Sequence, residues 1–344
     1  MRMASSTGQV HRQVTALAAA DLPLPELGAE LSDALRGLVP HEGYCLIGFD
    51  PVSGLRAFHT ARDALNANWP RLVPNETVEH DLHRFTDLAR RADPVGTLGS
   101  GAPGEALSPR LHEILRPQGF SRELRLALRG GGTLWGALVL LREHNRPPFS
   151  DQESAAAAAI AQPLTRAVRR VSVRPRGQPP PPLPPGVVIV GPDGAAEDIS
   201  PQAAAWFSDL HGVGGLTTED PLPHTVLIAA AAARAAGETR AGQLARIRTR
   251  SGRWLSLASC PLGGGRVAVV LQPATTDQLL PAIAAWHGLT PRQLDVLHLL
   301  LQGHPVKQIA RRLGLSPHTI EDYLKALYRK TGTNSHQELI ATLR

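Results

Sequence analysis

The sequence predicts a multidomain chain, in which two α+β domains are followed by an all-α domain of four short helices. Three observations support this prediction. At 344 residues the chain is too long for one ordinary domain. A proline-rich stretch at 175–185 separates two regions that each mix strand and helix periods. The last 56 residues, 289–344, show helical apolar spacing throughout, with helix start signals at close intervals.

Composition favours a folded protein that lies outside the membrane. Hydrophobic residues make up 42% of the chain, enough to bury real cores. Cys45 and Cys260 lie far apart without CxxC spacing, so neither a disulfide framework nor a cysteine-based zinc site is predicted. No apolar run reaches the ~18 residues of a membrane span, and the N-terminus lacks a signal-peptide core. We therefore expect a cytoplasmic protein with no membrane partner.

The first α+β domain is predicted over 21–172, after a flexible N-terminus at 1–20. Its first elements are expected in the order helix, strand, strand and helix, over 22–38, 43–49, 55–60 and 78–91. A hairpin follows, with strands at 123–129 and 134–142 around three consecutive glycines. Ser150 and Glu153 form a capping box that opens the closing helix, and Pro163 is expected to bend that helix.

A proline-rich linker at 173–185 is predicted to be a semi-rigid spacer, because consecutive prolines favour extended polyproline II. The second α+β domain is predicted over 186–274, and a linking helix over 275–288. In this domain we expect a strand at 187–190 and helices at 201–207 and 222–236. Three antiparallel strands then follow, at 243–250, 253–257 and 267–271.

The terminal domain, 289–344, has four helix start signals. Thr290 with Gln293 and Ser335 with Glu338 fit capping boxes, and Ser316 precedes a proline at a first helical position. The helices are predicted at 291–302, 305–313, 317–330 and from 336 to about 343. Gly314 can adopt the positive φ that ends the second helix, so a tight turn should join the second and third helices.

These residues resemble the LuxR-type (NarL-type) helix-turn-helix domain. The similarity runs from Leu289-Thr290-Pro291-Arg292 through Leu297, Gly303, Lys307-Gln308-Ile309-Ala310, Leu313, Leu315-Ser316-Pro317-His318-Thr319-Ile320, Tyr328-Arg329-Lys330 and Gly332 to Glu338-Leu339. The resemblance implies a transcription regulator whose third helix enters the DNA major groove and whose last helix makes homodimer contacts.

The resemblance and the exposed polar pattern together give a predicted DNA-binding set. Phosphate contacts are expected from basic side chains, because this domain carries eight basic residues against four acidic ones. The predicted set comprises Lys307, Arg311, Ser316, His318, Thr319, Glu321, Asp322, Lys325, Arg329 and Lys330.

Three positions of the third helix depart from the family pattern. Glu321 stands where a lysine is frequent, Asp322 follows where an apolar residue is frequent, and Tyr323 replaces a common histidine. Carboxylates repel phosphates. These two could accept a hydrogen bond from cytosine N4, or they could point away from DNA and pair with Lys325 and Arg329. The sequence leaves both alternatives open.

The upstream domains resemble sensor folds. Trp135-Gly136-Ala137-Leu138-Val139-Leu140 followed by Pro148-Phe149-Ser150-Asp151-Gln152-Glu153 is similar to GAF-like domains. Gly186-Val187-Val188-Ile189-Val190 with Pro192-Asp193-Gly194 and the strands after Arg253-Trp254 is similar to PAS-like domains. Both resemblances imply a cavity that can hold a small-molecule effector, or a scaffold for dimerisation. Neither resemblance identifies a cofactor, so the cofactor is unknown.

No catalytic, cofactor or metal site is predicted. The chain's three lysines, Lys307, Lys325 and Lys330, all lie in the terminal domain, so a Walker A, Schiff-base or receiver-domain lysine is absent upstream. We interpret Cys45 and Trp206-Phe207 as core residues, and His80 and His83 as lying on an exposed helix. The alternative to a DNA-binding regulator is a ligand-binding scaffold or enzyme whose helical tail only dimerises.

Overall fold

Two five-stranded antiparallel sheets and a terminal group of four helices form the architecture of this chain. A computed structural model describes residues 2–20, 22–64, 69–173, 181–210, 222–237 and 243–343. The predicted fold class, two α+β units followed by an all-α domain, is confirmed.

The N-terminal residues are helical, which corrects the prediction of a flexible segment at 1–20. Helix α1 (Arg2–Ala19) packs against α2 (Leu24–Arg36) and against a later helix, α6 (Ala161–Val173). In this helix Val14 is completely buried and Val10 is nearly so. Few apolar residues mark this inner face, so the sequence pattern is weak without the partner helices.

The first sheet has the strand order β2-β1-β5-β4-β3. Its strands are β1 (Gly43–Phe49), β2 (Arg56–Arg62), β3 (Val95–Leu98), β4 (Phe120–Gly130) and β5 (Thr133–Glu143). The first predicted strand and the β4–β5 hairpin are confirmed, and the second strand begins one residue later than expected. The short edge strand β3 has no counterpart among the predicted elements.

The helix predicted at 78–91 is wrong. Helix α3 (Trp69–Thr77) ends before this segment, and only the four residues of α4 (Phe85–Leu88) inside it are helical. His83 has a φ of +58°, a left-handed conformation that an α-helix cannot continue through. The Asp81 carboxylate also accepts hydrogen bonds from residues of two other segments, which holds the backbone in a turn.

The closing helix of the first unit is split in two. Helix α5 (Asp151–Ala159) begins with the predicted capping box of Ser150 and Glu153, and α6 follows after a break at Ile160. Pro163 explains the break, because it lacks a backbone N–H and its ring clashes with the carbonyl four residues earlier.

The second sheet repeats the strand order of the first, as β7-β6-β10-β9-β8. Its elements are β6 (Gly186–Val190), β7 (Ala196–Ile199), α7 (Pro201–Phe207), α8 (His224–Ala236), β8 (Gln243–Arg248), β9 (Trp254–Pro261) and β10 (Val267–Pro273). The predicted three-stranded antiparallel end is confirmed. Edge strand β7 was not predicted, because its residues Ala-Glu-Asp-Ile do not alternate clearly.

Between the units, residues 174–180 of the predicted linker lie outside the described residues, and 181–185 have no regular secondary structure. Helix α9 (Thr276–His287) is present where a linking helix was predicted, with its own capping box of Thr275 and Gln278. It contacts β8 and leads directly into the terminal domain. None of the helices in the described ranges is long and apolar enough to cross a membrane.

Candidate nucleic-acid interface

The terminal domain consists of α10 (Pro291–Leu301), α11 (Val306–Leu313), α12 (Pro317–Thr331) and α13 (His336–Leu343). The Thr290–Gln293 capping box is formed in both directions, at 3.3 Å and 3.0 Å. Ser316 Oγ accepts a hydrogen bond from the Thr319 backbone N–H at 3.1 Å, which satisfies a donor at the start of α12.

A left-handed glycine sets the angle between α11 and α12. Gly314 ends α11 with a φ of +65°, a conformation that costs glycine little. The inner faces of the two helices bury Ile309, Ala310 and Ile320, each 2% exposed or less. Small Ala310 leaves space for close approach. The outer faces are therefore held in a fixed relation while remaining open to solvent.

The predicted DNA-binding side chains occupy these outer faces, with one exception. On α11 Lys307 and Arg311 are exposed, and Arg312, absent from the predicted set, is exposed beside them. Thr319 is half-buried by its contact with Ser316. The exposed members around α12 are Ser316, His318, Glu321, Asp322, Lys325 and Arg329. The exception is Lys330.

The two acidic residues of α12 have different partners. Asp322 Oδ1 accepts a hydrogen bond from Lys325 Nζ at 3.2 Å. Glu321 has no such bond within the part of the chain that the structure describes, and the nitrogen recorded near it is His318 Nδ1, 3.9 Å from Oε2. Asp322 also lies 3.8 Å from His318. The predicted pairing with Lys325 thus involves Asp322 only, and neither acid forms an ion pair with Arg329 among the described residues.

Lys330 is used inside the domain. Its Nζ donates to the Gly288 carbonyl at 2.7 Å and to Gln293 Oε1 at 2.8 Å, which ties the end of α12 to the start of α10. The Lys330 carbonyl in turn lies 3.2 Å from His287 Nδ1 at the end of α9. Burial lowers the pKa of His287, which keeps the ring neutral at this junction.

Helix α9 is held at both ends by arginines. Near its start, Arg246 of β8 donates through Nε to the Gln278 carbonyl and through Nη1 to Asp50 Oδ2 at 3.1 Å. Asp50 follows β1, so this buried ion pair joins both α+β units to α9. Near its end, Arg169 of α6 donates to the Trp286 carbonyl. This arrangement was not predicted, because sequence spacing does not reveal contacts about 200 residues apart.

Two spaces in the α+β units differ in size. A cavity beside Cys45 and the buried pair Glu76–Arg110 holds about 30 Å³, room for water and not for an organic ligand. Burial raises the pKa of the Cys45 thiol to about 11, which keeps it protonated. A cleft between the units holds about 210 Å³ and is lined by Phe49, Leu55, Arg56, Glu76, Arg84, Phe85, Ile228, Ala232 and neighbouring residues.

A buried charge network stands behind that cleft. Arg110 donates to both Glu123 oxygens at 2.6 and 2.5 Å and to Glu76 at 2.6 Å, and Arg125 donates to Glu76 at 2.8 Å. Burial alone would raise the pKa of Glu76, but the arginines outweigh it and lower the pKa to about 2. Within the described ranges no group of three or more His, Cys, Asp or Glu side chains is placed to hold a metal ion. His80 is exposed and His83 half-buried, in a turn and not on the helix predicted for them.

Comparisons with known proteins match the terminal domain. A profile of the family described as "Bacterial regulatory proteins, luxR family" matches residues 287–343. Response regulator Rre1 of Synechocystis is 47% identical over 51 residues, which are 15% of this chain and 22% of that protein. Transcriptional activator protein ExaE of Pseudomonas putida is 39% identical over 57 residues, 17% of this chain and 27% of that protein. This chain thus spans under a third of either relative.

Part of this chain is also similar to solved structures. The GAF domain of a phosphoenolpyruvate-protein phosphotransferase from Coxiella burnetii is 18% identical, covering 47% of this chain and 92% of that chain with a TM-score of 0.33. The family profile is the specific match, and it coincides with the four helices of the terminal domain described above. Residues 287–343 are therefore a helix-turn-helix domain of the luxR family of bacterial regulatory proteins.

Proposed function

We propose that this protein is a transcription regulator that binds double-stranded DNA through α11 and α12 and couples a signal from its two α+β units to promoter binding. The observation that carries this proposal is the exposed basic face of a luxR-family helix pair whose inner face is fully packed. Such a regulator must reach DNA, so the proposal includes a cytoplasmic location. The proposal also assigns the protein no enzymatic activity.

In this proposal α12 enters the major groove and basic residues around it neutralise phosphates. Lys307, Arg311, Lys325 and Arg329 are exposed and can reach the backbone. Ser316, His318 and Thr319 lie at the N-terminal end of α12, the end that contacts base edges in helix-turn-helix proteins. We leave Lys330 out of the contact set, because both hydrogen bonds of its ammonium group stay within the domain.

The test is salt-dependent binding of the full chain to a labelled random-sequence duplex, followed by fluorescence anisotropy. Each phosphate contact should contribute a slope of about 0.9 to log Kd against log salt. Lys307→Met is expected to lower the slope by about that amount. Arg292→Met removes the same charge from the exposed start of α10 and should leave the slope unchanged. No binding by the wild type at low salt would instead favour a tail that only dimerises.

We infer that α9 transmits the signal. A change in how the two units pack moves Asp50 relative to Arg246, and Arg246 holds the first turn of α9. The other end of α9 contacts the terminal domain through His287 and the Lys330 carbonyl. The helix therefore has direct contacts with both units and with the DNA-binding domain.

The cleft between the units is where we place a small-molecule effector. Its aromatic and aliphatic walls suit an apolar body, and Arg56 and Arg84 add positive charge to its lining. A thermal-shift screen of the full chain against small carboxylates tests this, because a ligand of the native state raises the midpoint. Ala232→Phe fills the cleft and should abolish a shift that the exposed control Ala235→Phe, on the same helix, retains.

We further propose that the protein is a homodimer. Two copies would place two α12 helices on half-sites about one DNA turn apart. Analytical ultracentrifugation of the full chain should give a mass of two chains, and footprinting should show two protected segments. A monomer on a single half-site would contradict this part of the proposal.

A further inference from the structure

The acidic pair of α12 divides into two roles in the structure. The buried face of the helix consists of Ile320, Leu324 and Leu327, so Glu321 and Asp322 both lie on the opposite, exposed side. Asp322 already holds the ammonium group of Lys325 at 3.2 Å. A carboxylate bonded to a lysine is partly neutralised and restricts where that lysine points.

Among the residues that the structure describes, Glu321 has no comparable partner. Its side chain is 57% exposed, and the 3.9 Å separation from the His318 ring nitrogen is beyond hydrogen-bond distance. The residue stands in the second turn of α12, the part of a recognition helix that faces base edges. Its two oxygens are therefore available to a donor in the groove.

The bases differ in what they offer to a carboxylate, which can only accept hydrogen bonds. In the major groove guanine presents two acceptors and thymine presents an acceptor and a methyl group. Adenine places its N6 donor beside the N7 acceptor. Cytosine N4 is the donor without an acceptor on the same base. An unpartnered glutamate at this position should therefore favour cytosine and disfavour guanine and thymine.

We propose that Glu321 recognises a cytosine in each half-site through N4, and that Asp322 acts as a positioning residue for Lys325. This inference rests on the proposed DNA-binding function and adds a specificity to it. The phosphate repulsion of Glu321 is offset by Lys307, Arg311, Lys325 and Arg329, which provide affinity without sequence choice. A lysine at this position would donate to guanine O6 or N7, so it would select guanine and not cytosine on the contacted strand.

The experiment is selection of duplexes from a randomised pool by the full chain and its variants. The wild type is expected to enrich a motif with a C at one position of each half-site. Glu321→Gln should change that position to A, because glutamine donates to adenine N7 and accepts from N6. Asp322→Asn should keep the C. Asp295→Asn, which removes a charge from the exposed face of α10, controls for net charge alone.

Binding to the selected duplex then measures the contact. Changing the C·G pair to T·A should weaken the wild type by about 5- to 150-fold and should have less than a twofold effect on Glu321→Ala. If Glu321→Gln and Glu321→Ala select the wild-type motif, this inference is overturned while the proposed function stands. If the wild type enriches no motif and binds no duplex, the proposed function fails as well.

Discussion

At the level of single residues, the three lysines of this chain have distinct environments. Lys307 and Lys325 are exposed on α11 and α12, whereas the Lys330 ammonium group donates to two oxygens at the α9–α10 junction. The sequence alone places all three in the predicted DNA-binding set, because each lies on a predicted helix of a basic domain. Their roles should therefore separate when each is replaced.

Lys330→Met is expected to destabilise the terminal domain by about 1–2 kcal/mol, since two charge-assisted hydrogen bonds are lost at a partly exposed site. Hydrogen exchange should become faster in the last turn of α12 and the first turn of α10. Lys325→Met, which loses only the exposed contact with Asp322, is the control and should leave exchange rates nearly unchanged. Equal exchange in both variants would contradict the structural role of Lys330.

At the level of elements, helix α9 depends on a buried ion pair. Asp50 is fully buried and Arg246 nearly so, and removal of one partner leaves the other as an uncompensated charge. The same Asp50 carboxylate accepts the Val52 backbone N–H at 2.8 Å, which fixes the turn after β1. Asparagine can keep that turn while removing the charge.

Arg246→Met is expected to cost about 3–5 kcal/mol of unfolding free energy. The double variant Arg246→Met with Asp50→Asn should recover part of that loss, because no buried charge then remains unpaired. Urea denaturation of the wild type, both single variants and the double variant measures the coupling. Strict additivity of the two single effects would show that the ion pair does not hold the junction.

Local signals in the sequence predicted some elements well. The β4–β5 hairpin, the capping boxes at Ser150 and Thr290 and the helix pair joined at Gly314 all depend on residues close in sequence. Elements that depend on distant partners were missed. Helix α1 is stable because of α2 and α6, and the turn at His83 is fixed by segments that the sequence does not place beside it.

The candidate site shows the same division. Exposed positions on α11 and α12 follow from helical spacing and the buried leucines and isoleucines between them. The bond between Asp322 and Lys325 was one of two alternatives, and spacing alone could not decide it. The role of Lys330 could not be predicted, because it depends on where the Gly288 carbonyl lies after α9 ends.

At the level of the whole molecule, His224 and His287 lie where parts of the protein meet, and burial lowers the pKa of both. His224 of α8 lies beside His59 of β2, between the two units, with ring centroids 5.0 Å apart and ring planes tilted by 44°. Burial, with the nearby charges of His59 and Arg56, lowers the pKa of His224 to about 2. Burial also lowers the pKa of His41 within the first unit and of His287 beside the terminal domain.

Stability is therefore expected to fall as pH drops below about 6.5. An unfolded histidine binds a proton near that pH, whereas these folded histidines do not, so protons favour the unfolded state. His224, whose pKa is lowered to about 2, adds a slope of up to about 1.4 kcal/mol per pH unit between its folded and unfolded pKa values. Melting temperatures between pH 5 and pH 8 measure the trend, and His224→Gln should make it shallower. A melting temperature that rises on acidification would contradict the lowered pKa values.

The lysine environments also determine how the protein reacts with amine reagents. The sequence has no lysine before Lys307, so acylation of lysine side chains is confined to the luxR-family domain. Brief acylation should modify the exposed amines of Lys307 and Lys325 before that of Lys330, which is engaged by two oxygens. Bound DNA should protect Lys307 and Lys325 from acylation. Mass spectrometry of the acylated wild-type protein, with and without DNA, can therefore map the contact face without any substitution.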